Sequence, residues 1–113
     1  MSKSEKQWVS LCDDADIAEG GREVFEVGGR WIAVFRVSGR LYAIEDLCTH
    51  DGGILTEDEK GKRVPLQNDY EIACPRHGAR FDIRTGKVLS APALVDVPWF
   101  VVQVNAGKIE IAV

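Results

Sequence analysis

Between Arg30 and Val37 the sequence RWIAVFRV alternates with a period of two. Trp31, Ala33, Phe35 and Val37 fall on one face, and Ile32, Val34 and Arg36 on the other. Ser38-Gly39 is a turn, and RLYAIED (residues 40–46) pairs back across it as a hairpin. Gly28-Gly29 makes a similar turn after REVFEV (residues 22–27). Near the end, WFVVQV (99–104) and KIEIAV (108–113) flank Asn105-Ala106-Gly107 and form a further hairpin. The only helical turn predicted is a short one at Asp14–Glu19. Turn signals at short intervals predict an all-β barrel or sandwich of antiparallel strands. The first five or so residues are expected to fray.

From Leu47 to about Ser90 the alternation gives way to glycine, proline and charge. We read residues 47–90 as a small subdomain inserted between strands of one domain spanning 1–113. The 113 residues suffice for a single modest core, and a chain of this size gains from a metal or another cross-link. No apolar run approaches the roughly 18 residues of a membrane span, and the start, MSKSEKQW, has no apolar signal core. A cytoplasmic protein with no membrane association is expected. A formal net charge of −4 and the lack of a basic stripe argue against nucleic acid. Three cysteines, an odd number, do not suggest a disulfide framework.

The chemistry lies in CTHDGG (48–53) and CPRHG (74–78). Cys48-x-His50 is followed, after 23 intervening residues, by Cys74-x-x-His77. Both histidines and two of the three cysteines of the chain are in these segments. Two metal readings are open. One is a tetrahedral zinc site, although zinc sites favour pairs of like ligands. The other is a 2Fe–2S cluster with two cysteines on one iron and two histidines on the other. Mixed Cys/His pairs suit two loops that each reach both irons. Gly52 and Gly53 are expected to let the chain turn tightly so that its amides can face the sulfur atoms.

At CTHDGGILTE (48–57) and CPRHGARFDIRTGKVLSAP (74–92), and in the β pattern on either side, the chain resembles the Rieske ferredoxins. These are small electron carriers of bacterial ring-hydroxylating oxygenase systems. The resemblance implies the Rieske fold, an antiparallel β base with a cluster-binding subdomain at one tip. It implies one 2Fe–2S cluster, with Cys48 and Cys74 on the inner iron and His50 and His77 on the outer. Pro92 matches a loop that covers the cluster from a third side. In the respiratory-chain members of the wider family a disulfide ties the two loops together. The matching positions here are Gly53 and Arg76, so that link cannot form. A serine of that group is Ala79 here. A hydroxyl bonded to a bridging sulfide stabilises the reduced cluster, so its absence implies a low potential within the Rieske range. The segment 56–69 is longer than the family's usual spacing and is expected to be an extended loop or hairpin.

The implied function is one-electron transfer by a monomer, from a flavin-dependent ferredoxin reductase to a non-haem iron terminal oxygenase. The chain would be an electron-transfer component and not itself an enzyme. Two other classes compete. One is an accessory subunit of a larger oxidoreductase, such as a nitrite reductase small subunit. The other is a zinc-stapled interaction module. Cys12 reads as a buried apolar cysteine, and Trp8, Trp31, Trp99 and Phe100 as core packing. Arg76 and Arg80 read either as solvated surface or as partner contacts. The acidic run at 13–19 reads as a solvated turn. With both histidines in a metal site, no Ser/His/Asp triad is possible.

Overall fold

The computed structural model describes residues 7–113, so the expected fraying of the first residues lies outside it. The chain is built from antiparallel strands, and its only helical element among the described residues is a 3₁₀ turn, Asp14–Asp16. A central sheet has the order β2-β3-β4-β7, formed by Arg22–Val27, Arg30–Val37, Arg40–Glu45 and Trp99–Phe100. A second sheet, β1-β9-β8, is formed by Trp8–Asp13, Lys108–Ala112 and Val102–Asn105. A two-stranded ribbon, β5 (Glu71–Ala73) with β6 (Arg80–Asp82), lies in the long connection between β4 and β7. None of the described helices is long and apolar enough to cross a membrane.

The alternation in β3 explains the layering. Ile32 and Val34 pack with Ala43, Phe100, Ile109, Ile111 and Ile17 in a core between the central sheet and the β1-β9-β8 sheet. Ala33 and Phe35 face the other way. With Ile44 they join Leu55, Ile72, Phe81, Ile83 and Val97 in a second core. Cys48 and Cys74 belong to this second core. Each fully buried Phe or Ile contributes roughly 1.5–3 kcal/mol of apolar burial, so both faces of the central sheet are strongly committed.

The hairpins at 28–29 and 38–39 form as expected, with Gly28, Gly29, Ser38 and Gly39 all at positive φ. WFVVQV is two strands and not one. Trp99–Phe100 pairs with β4, the chain passes between sheets at Val101, and Val102–Asn105 pairs with β9. β1 was not predicted. It pairs with β9 through a register shift between Ser10 and Cys12 that makes Leu11 an extra residue, which breaks the period of two. The three tryptophans correct the packing expectation: Trp8, Trp31 and Trp99 are 44%, 56% and 52% exposed, and only Phe100 is buried. Cys12 is a half-buried free thiol, pushed up by burial and then by Asp16, Glu23 and other acids nearby. The 56–69 segment is a loop with a minimal hairpin, bridged at Glu57 and Arg63.

The connection from β6 to β7 is stitched down by its backbone. Leu89 N–H donates to Arg80 O at 2.7 Å and Val97 N–H to Gly86 O at 2.8 Å. Gly86 is buried at φ 73°, and a Cβ there would sit 2.0 Å from Val97 O. Gly61 also has a positive φ, 77°, but open space around it. Gly86→Ala is therefore predicted to lose about 3 kcal/mol or more, and Gly61→Ala only about 1 kcal/mol, the cost of the left-handed backbone. Denaturant unfolding of the two variants checks this. Equal losses would contradict the close approach at Val97.

Candidate metal centre

Two loops of matching construction form the tip of the second core. In the first, Cys48 N–H donates to Gly53 O at 2.8 Å and Cys48 O accepts from Gly52 N–H at 2.7 Å. In the second, Cys74 N–H donates to Ala79 O at 2.7 Å and Cys74 O accepts from Gly78 N–H at 2.9 Å. Each loop thus closes four and five residues after its cysteine. The fourth residue is glycine in both, at φ 76° for Gly52 and 77° for Gly78. That backbone conformation is what requires glycine there. The amides of Gly52 and Gly53 themselves serve the turn. The first closes its own loop, and the second donates to Asp51 Oδ1 at 2.9 Å. It is the N–H groups of Asp51 and His50 that approach Cys48 Sγ.

The four sequence-predicted residues come together as two unlike pairs. Cys48 and Cys74 are buried free thiols. Their sulfur atoms and a carboxylate oxygen of Asp51 lie within 4.8 Å of one another. Burial pushes the Cys48 thiol up, while the Asp51 and His50 amides pull it down. His50 and His77 face each other on the outside, their ring centroids 5.2 Å apart and nearly perpendicular. The His77 side chain is 55% exposed. Neither histidine belongs to the compact group formed by the two sulfurs and Asp51.

A third segment leans on this tip. Thr49 Oγ1 donates to Val95 O at 2.6 Å, which ties the first loop to the stretch after Pro92. Arg80 N–H donates to Ser90 Oγ at 3.1 Å and Val88 N–H to Asp96 Oδ1 at 2.8 Å. Leu94, next to Val95, is 87% exposed.

Two acidic residues of the site were given no structural role in the sequence. Asp46 is buried and accepts from Leu55 N–H and Thr56 N–H, both at 2.9 Å, and from Thr56 Oγ1 at 2.6 Å. It fixes the far end of the first loop to the end of β4. Its signal was a charged residue closing an apolar strand two positions before Cys48. Asp51 pairs with Arg76 of the second loop, Nε to Oδ2 at 2.6 Å. The Arg76 guanidinium, then the Gly53 amide, hold the Asp51 carboxyl well below the usual carboxylate range. Arg76 is therefore committed to its neighbour loop, and Arg80 lies 3.3 Å from Glu71 Oε1.

A family model described as the Rieske [2Fe-2S] domain matches residues 7–101. The ferredoxin CarAc of Metapseudomonas resinovorans is 37% identical over 106 residues, covering 93% of this chain and 92% of that protein. The ferredoxin component of the naphthalene 1,2-dioxygenase/salicylate 5-hydroxylase systems of Ralstonia sp is 33% identical, covering 92% of this chain and 93% of its own. Among solved structures, a chain in the complex of reduced oxygenase and oxidized ferredoxin in carbazole 1,9a-dioxygenase superposes with a TM-score of 0.78. It is 34% identical, with 93% of this chain and 92% of that one covered. The ferredoxin of carbazole 1,9a-dioxygenase from Nocardioides aromaticivorans IC177 gives a TM-score of 0.77 at 28% identity, covering 92% of this chain and 95% of that chain.

Asp46→Ala would leave two buried backbone N–H groups and the Thr56 hydroxyl without their acceptor. Hydrogen bonds to a charged group contribute roughly 1.5–3 kcal/mol each and are not additive here, so a loss of about 3 kcal/mol is predicted. Chemical denaturation measures it. A loss below about 1 kcal/mol would show that the first loop is held by other contacts.

Proposed function

Because this chain belongs to the Rieske [2Fe-2S] domain family, we propose that it is the ferredoxin component of a ring-hydroxylating oxygenase system. In this reading it takes one electron at a time from a flavin-dependent reductase and hands it to a non-haem iron terminal oxygenase. The relatives named above are ferredoxin components of such systems, and one matching chain comes from a complex with an oxygenase. As an electron carrier, the chain is not itself the enzyme.

The observation that carries this reading is the split donor set. Two thiols lie inside the core and two imidazoles face each other outside it. A single zinc ion needs four donors around one point, at roughly 2.0–2.3 Å from the metal. The imidazoles form a pair of their own beside the two sulfur atoms, with His77 Nδ1 3.6 Å from Asp51 Oδ2, which fits a binuclear centre better. Cys48 and Cys74 would hold one iron and His50 and His77 the other. When bound, the 2Fe–2S cluster supplies a one-electron couple whose reduced form carries one more negative charge.

The residues around it serve that couple. The Asp51 and His50 amides offer hydrogen bonds to the Cys48 sulfur, which favours its thiolate form. The buried core behind the cysteines keeps water from the inner side. The exposed imidazoles give the shortest way out for an electron. Leu94 and Val95, exposed beside the first loop, supply apolar surface for a partner to cover at this tip. We read residues 47–90 as the cluster-binding subdomain of a single domain. A cytoplasmic setting suits a chain whose three cysteines are all free thiols.

Ala79 is fully buried and presents only a methyl group where the respiratory-chain proteins have a serine. A midpoint near the low end of the Rieske range, about −150 to +300 mV, is therefore predicted. A redox titration at neutral pH, followed by the visible spectrum, tests both parts of the reading. A coloured protein with a one-electron wave at low potential is the expected result. A midpoint well above zero would refute the low-potential assignment, and a colourless protein would refute the cluster.

A further inference from the structure

The two loops have no covalent link, since Cys48, Cys74 and Cys12 are all free thiols. Something else must hold them at one spacing while the tip meets a partner. Arg76 reaches out of the second loop with its whole guanidinium fork. Nε donates to Asp51 Oδ2 at 2.6 Å and Nη2 to Asp51 Oδ1 at 3.1 Å, a bidentate pair. Nη1 donates to Ile54 O at 3.0 Å. All three nitrogens are thus engaged with the first loop, which fixes the guanidinium's place.

Gly53 supports the same reading by a different route. Its backbone lies outside the left-handed region, so its conformation alone does not demand glycine. The seat of the guanidinium does: a Cβ there would sit 2.5 Å from Arg76 Cζ and Nη2 and would displace them. The missing side chain is the slot in which the guanidinium lies. The pair is mostly covered, with the Arg76 and Asp51 side chains 23% and 20% exposed. It also touches the centre. Asp51 Oδ2 lies 4.0 Å from Cys74 Sγ and 3.6 Å from His77 Nδ1.

We propose that Asp51 and Arg76 are a positioning pair, an ionic clasp seated on Gly53 that holds the two metal-binding loops together and balances charge beside the centre. The inference rests on the cluster assignment of the preceding section. The pair has two effects that can be measured apart. As a clasp, its halves act together, so losing either half costs the same contact. As charges, the halves act in opposite directions on a centre that gains negative charge on reduction.

The test uses the loaded protein with Asp51→Asn, Arg76→Gln, the double variant and Arg76→Lys. Asn keeps an acceptor for the Gly53 amide, so the turn survives while the charge is lost. The first reading is the rate at which visible absorption bleaches in excess chelator. Each neutral single variant is expected to bleach on the order of fivefold faster than the unaltered protein. The double variant should be no faster than the worse single, because both remove one interaction. Arg76→Lys keeps the cation without the fork and should fall between. The second reading is the midpoint potential. It should fall in Arg76→Gln, which leaves Asp51 unpaired, and rise in Asp51→Asn, which leaves Arg76 unpaired. A purely structural role would not produce opposite signs. Additive bleaching, unchanged bleaching, or potentials moving in the same direction would overturn the clasp. Iron and sulfide analysis of the unaltered protein keeps the two readings separate. Fewer than two irons and two sulfides there overturns the cluster assignment. Full loading with indifferent variants overturns only the clasp.

Discussion

Two buried thiols at the meeting of two loops set the terms for the whole upper half of this molecule. Cys48 and Cys74 are almost without exposed surface and share a core with Phe35, Ile44, Ile72 and Phe81. A thiolate in such a place is costly unless positive charge or N–H donors stand close to it. The central sheet answers the packing half of the problem by offering one full face to this core and the other to a second core. The loops answer the electrostatic half, with amides directed at Cys48 and a charged pair beside Cys74. Everything further out, including the facing imidazoles, depends on those sulfur atoms being fixed.

The loops gain their rigidity largely from carboxylates that accept backbone N–H groups. Asp46 holds Leu55 and Thr56, Asp51 holds Gly53, and Asp58 holds Lys60 and Lys62. Asp96 holds Val88 across the third segment, and Glu19 holds Ser38 and Gly39 at a hairpin turn. Loop amides cannot find sheet partners, and an ionised side chain is a strong substitute acceptor. The acidity of the chain, 18 Asp and Glu against 14 Lys and Arg, is in part a device for ordering turns and not only a solvated surface.

How much of this was legible in the sequence depended on the range of each interaction. The hairpins around Gly28-Gly29 and Ser38-Gly39 were readable because turn chemistry and alternation are local. The metal-type residues were readable because both histidines and two cysteines fall in two short segments. β1 was missed because the extra residue at Leu11 breaks its period. The continuous apolar run of WFVVQV hid the passage between sheets at Val101, since Phe100 and Val102 enter the same core from two different sheets. The tryptophans were misplaced because aromatic size suggests burial, whereas Trp31 and Trp99 occupy strand ends that the second core does not reach. Asp51 and Arg76 were each visible, but their pairing spans 25 positions and only the fold brings them together.

In the proposed ligation two imidazoles, one from each loop, would bind one iron and the two thiols the other. Electron–nuclear double resonance on the reduced protein, grown with ¹⁵N-histidine, addresses this directly. The account predicts two distinct histidine nitrogen couplings to the spin, and the loss of one of them in each of His50→Cys and His77→Cys. A single nitrogen coupling, or none, would contradict it, because the second imidazole would then stand outside the centre it is assigned to hold.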